Sequence, residues 1–439
     1  MSILPQIADA MQDVLTEKAD IIAKETQLIQ RQRKVSGSNF IQTLVFGWMD
    51  NPEATLEELV QTASDVGLDI SAQGLDKRFD QKASDFMKKM MELAVRKVIS
   101  SDPVAIPILN RFNGVYIQDG SVVSLPDELS HIYPGCGNSA KSTNSSARFQ
   151  VRWNLTNGQI TQLYIHPGKE HERSIKMESL PVGSLRIADL GYFSLDDFQE
   201  MNEDGVYWLS RVKSQCNIYD TQDRKWDLLE FLEKHCQDQL DVFVYLGAKR
   251  IPCRLLACVV SEEVVQARRR KLKEYARKKG VTPSKKLLKL LKWTVICTNV
   301  PWYLLTLVEA LILMKARWQI EMLFKLWKSY GVIDEWRTEN PWRILCEFYG
   351  KLIVMIIQHW IFLSCCWQYA ERSLVKGFKG IRKHATYLGI ALASGCMDRL
   401  MEALAVIQNC LFHGTRLNKR KKKPNTYQLL LQFGFYALS

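Results

Sequence analysis

The sequence predicts a mixed α/β protein whose strand-bearing middle is framed by helical ends. Three observations carry that reading. Residues 1 to about 100 place apolar side chains at helical spacing. From about residue 105 the texture changes to short β-like runs closed by Asp, Asn or Gly. From Leu304 onward, long segments with apolar helical faces return.

The chain has 439 residues, beyond the size at which one core keeps growing, so roughly two to four domains are expected. Apolar residues make up 47% and charged residues 24%, which suits a folded, soluble chain. The formal net charge of +12 points to a polyanionic partner. A membrane role is not expected. The opening MSILPQIADAMQDVL lacks the basic, apolar and small-residue succession of a secretory signal. The longest apolar run, Leu352 to Trp367, is interrupted by Gln358 and His359 and is shorter than a bilayer requires, so it reads as a buried helix. The eleven cysteines contain no C-x-x-C pair and read as reduced thiols of a cytoplasmic protein.

Along the chain, the segment from Leu56 to Phe79 carries one apolar stripe up to Gly67 and a second start at Ser71. It resembles a helix-turn-helix, with Lys77 and Arg78 on the second helix; an ordinary helical hairpin is the competing reading. Gly114 to Asp119 reads as a short β-like run ending in an acid. Phe149 to Leu155 and Gln159 to His166 read as a hairpin around Asn157-Gly158. Ser184 to Asp189 is another strand ending in an acid, and Val206 to Val212 a further strand. Residues 216 to about 292 behave as an insertion, with strands at Asp241–Leu246 and Arg254–Val260. A basic helix follows, in which Arg268, Arg269, Arg270 and Lys271 are candidates for phosphate contact as well as for a solvated face. Trp293 to Thr298 is a strand stopped by Asn299-Val-Pro301. Helices are expected from about Leu304 to Tyr330 and Pro341 to Tyr369, and a basic tail run at Asn418–Pro424.

The chemistry is expected at three acids. On a helix, Arg317, Glu321 and Lys328 fall within roughly 40° of one another, on a segment otherwise rich in Trp, Phe, Leu and Ile. A salt-bridged surface face, with Glu321 paired to Arg317 and Lys325, would give the same pattern. Asp119 and Asp189, each expected at a strand end before a glycine-containing turn, make a carboxylate cluster with Glu321 the sharper alternative. Three clustered carboxylates call for hard divalent cations. Two such ions about 4 Å apart activate an attacking oxygen and stabilise a leaving one in phosphoryl transfer.

At this point the sequence resembles a known family. Arg317, Glu321 and Lys328 match the R-x-x-x-E-x-x-x-x-x-x-K part of the YREK signature of DDE transposases of bacterial insertion sequences, the branch called family four. Asp119-Gly-Ser is similar to that family's first acidic motif, Ala188-Asp-Leu-Gly-Tyr192 to its second, and Thr298-Asn-Val-Pro301 also fits. The interval from Asp189 to Glu321 is nearly twice that from Asp119 to Asp189, as an insertion there requires. The family's tyrosine would fall at 314, where this chain has Met314.

The resemblance implies an RNase H-like catalytic core interrupted by a β-rich insertion. The implied division is a helical DNA-binding region over 1–104, core over 105–215, the insertion with its basic helix over 216–292, core again over 293–375, and a helical basic region over 376–439. It implies Asp119, Asp189 and Glu321 as ligands of two magnesium ions, or manganese in their place. Arg317 and Lys328 would position DNA phosphates, and Trp293 would stack on a base flipped from the flanking strand; a core Trp is the competing reading there. It also implies a homodimer that brings together the terminal inverted repeats of a DNA element, cuts them and joins the 3′ hydroxyls to target DNA, in a bacterial, nucleoid-associated setting. A domesticated or inactive DNA-binding relative, and a structure-specific nuclease on the same core, remain as alternatives.

Overall fold

The computed structural model describes residues 3–31, 34–136, 144–171, 175–417 and 428–431. The first helices begin where the sequence supplies caps. Helix α1 (Leu4–Gln12) starts beside a proline and runs through a wider turn at Asp13–Glu17 into α2 (Lys18–Glu25). Both α3 (Gly37–Asp50) and α4 (Leu56–Asp65) open with capping boxes, Ser36 with Asn39 and Thr55 with Glu58. Gly67, at φ +79°, turns the chain, and Ser71 caps α5 (Ala72–Asp76). That helix is five residues long, because Asp80 already caps α6 (Gln81–Arg96). The expected second helix of a helix-turn-helix is therefore little more than one turn. Lys77 and Arg78 lie in the turn behind it rather than on its face.

Strand β1 (Val115–Leu125) does not end at Asp119 as the sequence suggested; it continues through Gly120 to Leu125. Val123 and Leu125 alternate inward with exposed neighbours, so the β pattern simply resumes after the acid. The hairpin of β2 (Ser145–Asn154) and β3 (Ile160–Pro167) forms as expected. Its loop, Leu155–Gln159, is longer than a two-residue turn, and Gly158 takes the left-handed conformation at φ +78°. Parallel β4 (Leu185–Ala188) and β5 (Tyr207–Arg211) are joined by crossover helix α7 (Leu195–Glu203).

The segment over 216–292, expected to be an insertion, is richer in elements than its sequence suggested. It contains β6 (Ile218–Tyr219), β7 (Lys225–Trp226), α8 (Leu228–His235), β8 (Gln239–Leu246), β9 (Ile251–Val259), the basic α9 (Glu262–Lys279) and α10 (Lys285–Leu290). After β10 (Trp293–Thr298) come α11 (Leu307–Ala316) and α12 (Trp318–Ser329). The single helix expected over 304–330 starts later, at the Thr306–Glu309 capping box, and is interrupted at Arg317, whose amide reaches Leu313 O at a long 3.3 Å.

Helix α13 (Pro341–Leu363) is buried over its whole length from Arg343 onward. It is the one described helix apolar and long enough to cross a membrane, and its burial inside the protein makes it a core helix. Its charges are internally paired: Glu347 lies 3.3 Å from both Arg343 and Lys351, and Lys351 also donates to Val332 O and Glu335 O. The last helices are α14 (Leu374–Arg382), α15 (Ala385–Ala393) and α16 (Met397–Gly414). The basic run from Asn418 to Pro424 lies outside the described residues.

The chain divides into two compact units. One comprises Met1–Ala105, Asp119–Ser174 and Gln319–Pro424; the other is chiefly Ile106–Gln118 and Ile175–Trp318. In the first, the strands run β3-β2-β1; Phe149 of β2 meets Phe324 and Trp327 of α12 at ring-centroid distances of 5.2 and 5.8 Å. In the second, the order is β1-β4-β5-β10-β9-β8-β6-β7, parallel from β1 to β5 and antiparallel beyond. Its core gathers Phe198, stacked 4.0 Å from Trp208, with Phe231, Leu255 and Trp293. The passage from one unit to the other falls inside β1, between Gln118 and Asp119, and inside α12, between Trp318 and Gln319.

Candidate active site

In the second unit, β4 delivers Asp189. Ala188 is the last residue of that strand, and Asp189 begins a tight turn over Leu190–Tyr192. The strand-end position expected for this acid is thus observed. Asp189 Oδ1 is enclosed, and no hydrogen-bond donor among the described residues reaches it. Two guanidinium groups flank it beyond hydrogen-bond range: Arg317 Nε and Arg211 Nη1, each 3.9 Å from Oδ1. Arg317 is 7% exposed, so the junction of α11 and α12 holds it inside rather than on a solvated stripe. Sequence reasoning missed Arg211, which ends β5; the only signal was its place at the end of a strand parallel to β4.

The register of β1 and β4 matters for Asp119. Gln118 is opposite Ala188, so each of the two acids is the next residue after a paired position on neighbouring parallel strands. Asp119 Oδ1 accepts a hydrogen bond from Gly120 N at 2.9 Å. In the same unit as Asp119, Glu321 sits half-buried in the first turn of α12. That helix presses Ile320, Leu323, Phe324 and Trp327 inward, and Lys328 Nζ donates to Val122 O of β1 at 2.8 Å. Lys328, expected to touch phosphate, thus fastens α12 to the strand that bears Asp119. An ammonium has three donors, so it keeps capacity for a further acceptor.

Several residues that the sequence singled out turn out to hold the frame. Asn299 accepts from Trp208 N at 2.8 Å and donates to Asn202 Oδ1 and Val206 O. Thr298 Oγ1 donates to Trp208 O at 2.6 Å. The Thr298–Pro301 motif therefore knits the end of β10 to the start of β5. Glu309, 5% exposed, accepts from Arg111 Nη2 at 2.8 Å and caps α11. Burial alone would raise its carboxyl, but Arg111 and Thr306 hold it below the ordinary value. Met314 lies on α11, half-buried.

Of the candidate DNA contacts, Trp293 is 6% exposed and packed in the core of its unit, so no base can lie on its ring in this conformation. Arg268 is a strap: it donates to Leu291 O, Trp293 O and Thr294 Oγ1, at 3.2, 2.9 and 2.7 Å. Arg269 lies 3.6 Å from Glu262, and Arg270 is exposed. Counting charge along a helix could not reveal which of the three adjacent arginines turns inward.

The enclosed carboxylate oxygen of Asp189, left without a donor among the described residues, has the chemistry to hold a hard divalent ion. Among the described residues, no three His, Cys, Asp or Glu side chains are grouped closely enough to form a ready-made metal cage.

The family profile described as "Transposase DDE domain" matches residues 110–357, more than half of the chain and a span containing all three acids. The chain belongs to this family, one of nucleases and transferases that generally use divalent metal ions. Among its relatives is the transposase for insertion sequence element IS231C of Bacillus thuringiensis subsp. berliner, 29% identical over 93% of this chain and 89% of the relative. The transposase for IS231F of Bacillus thuringiensis subsp. israelensis is 28% identical over 95% and 92%. The transposase for IS1151 of Clostridium perfringens is 26% identical over 92% and 91%.

Proposed function

We propose that this chain is a cut-and-paste DNA transposase of an insertion sequence, in which Asp119, Asp189 and Glu321 hold two magnesium ions. The observation that carries the reading is the register of Gln118 opposite Ala188. It makes two of the acids successors of paired residues on parallel strands. The strand orders β3-β2-β1 and β1-β4-β5, with β1 running through both units, support an RNase H-like core. The long interval before α12 supports an insertion within it.

Held by these carboxylates, divalent ions would supply activation of the attacking oxygen and stabilisation of the leaving one. The chain's own groups do the rest. Arg317 and Arg211 offset the charge of Asp189 and orient its enclosed oxygen without occupying it. Lys328, anchored on β1, sets the height of α12 and with it Glu321. The surplus of positive charge draws in duplex DNA, with the terminal repeats and the target as substrates. A homodimer joins two ends in one complex.

Asp119→Asn, Asp189→Asn and Glu321→Gln each remove a ligand charge with little change in volume. Each is expected to abolish end cleavage in magnesium while leaving end binding within a few fold. Cleavage at the normal rate by any one of them would remove that residue from the site.

A further inference from the structure

Helix α9 carries eight basic and three acidic residues and touches its unit along a narrow strip, with Val265 and Ala276 its only buried residues. Arg268 and Arg269, on the strip side, have partners within the protein. Arg270, Lys273 and Arg277 lie on the side of the helix opposite Arg268. They are exposed and have neither ion pair nor hydrogen bond among the described residues. At positions i, i+3 and i+7 they fall within about 60° of one another and span about 10.5 Å along the helix axis. One strand of a duplex advances about 3.4 Å per phosphate, so the stripe spans about three such steps of the backbone.

The helix that carries the stripe is also tied to the strands beside the candidate chemistry of its own unit. Arg268 fastens α9 to Trp293 and Thr294 at the start of β10. Two residues further on, Ile296 pairs with Arg211, the residue 3.9 Å from Asp189. We propose that Arg270, Lys273 and Arg277 form a track for the sugar-phosphate backbone of duplex DNA, binding without regard to sequence and holding the duplex alongside Asp189. This rests on reading the chain as a DNA transposase. Charge and alignment choose the occupant: three cations in a line along about three backbone steps, free of acids paired to them, fit a regular polyanion better than an acidic protein surface.

The test is the salt dependence of binding by the full chain to a fluorescent duplex of arbitrary sequence. In the triple variant Arg270→Ala, Lys273→Ala, Arg277→Ala, the slope of log affinity against log salt should become less negative by about 2.7, and in Arg270→Ala alone by about 0.9. The charge-preserving variant Arg270→Lys, Lys273→Arg, Arg277→Lys should keep the original slope. Arg268→Ala should lower the melting temperature and leave the slope unchanged. A folded triple variant with the wild-type slope overturns the track and leaves the function untouched. An Arg268→Ala slope as flat as the triple variant's overturns the choice of face. Failure of the wild-type chain to bind duplex DNA at all overturns both the track and the transposase reading.

Discussion

Asp189 shows what single residues contribute to this site: a carboxylate oxygen is enclosed and left without a donor while two guanidinium groups stop 3.9 Å short of it. Arg317 was legible because it shares a helical stripe with Glu321. Arg211 was not, since a single arginine at a strand end has no pattern until the neighbouring strand is known. Trp293 was ambiguous for the opposite reason, because an aromatic at the start of a strand serves a core and a binding face equally well. The Arg111–Glu309 pair was also invisible, being made across the unit by residues far apart in sequence. It fixes the start of α11, and Glu309→Gln should cost about 3 kcal/mol in unfolding free energy, since Arg111 would keep its charge without a counter-charge. Its pH dependence has a defined direction. Glu309 has a lowered pKa when folded, so its contribution is full above its ordinary value of 4.5 and fades as pH falls through the lower folded value. Urea titrations of wild type and Glu309→Gln should therefore converge in acid; a constant difference would contradict the pairing.

Among elements, the largest departures from the sequence reading occur where pairing partners change. Asp119 ends the pairing of β1 with β4 but not the strand itself. The following Gly-Ser looked like a turn because local composition does not reveal a second partner strand. The helix expected over 304–330 was read as one piece because nothing in its apolar pattern marks the interruption at Arg317. The hairpin of β2 and β3 was legible from Asn157-Gly158, and the structure adds why that glycine is needed. A Cβ on Gly158 would meet Leu363 Cδ2 at 2.4 Å and the ring of Trp367 at 2.6 Å, besides straining a φ of +78°. Gly158→Ala should therefore destabilise the protein by more than about 1 kcal/mol, measurable by thermal unfolding; a neutral substitution would show that the contact yields. The same turn receives His359 from α13, whose Nε2 donates to Gly158 O at 2.6 Å. Burial pushes this imidazole down to about 4 from 6.5. The unfolded chain then takes up the proton first, so stability should fall between pH 6.5 and pH 4. His359→Phe should remove that part of the pH dependence, and an unaltered profile would assign it to other groups.

For the whole molecule, the mixed α/β class and the family were legible in the sequence. The sequence suggested helical ends around a core split at 216–292; the compact units are likewise assembled from separated segments, and the chain passes between them beside Asp119 and just before Glu321. Composition along a chain does not mark the residue at which one strand or helix passes from one unit to the other, as β1 and α12 do. The net charge of +12 foretold a polyanionic partner, and the exposed face of α9 gives part of that charge a location. The central claim is that Asp119, Asp189 and Glu321 bind metal ions together, and it is tested most directly by calorimetric titration of manganese into the full chain bound to a short duplex. Saturable binding by the wild type, lost in Asp189→Asn and in Glu321→Gln with duplex binding retained, is the predicted result; undiminished manganese affinity in both variants would contradict it.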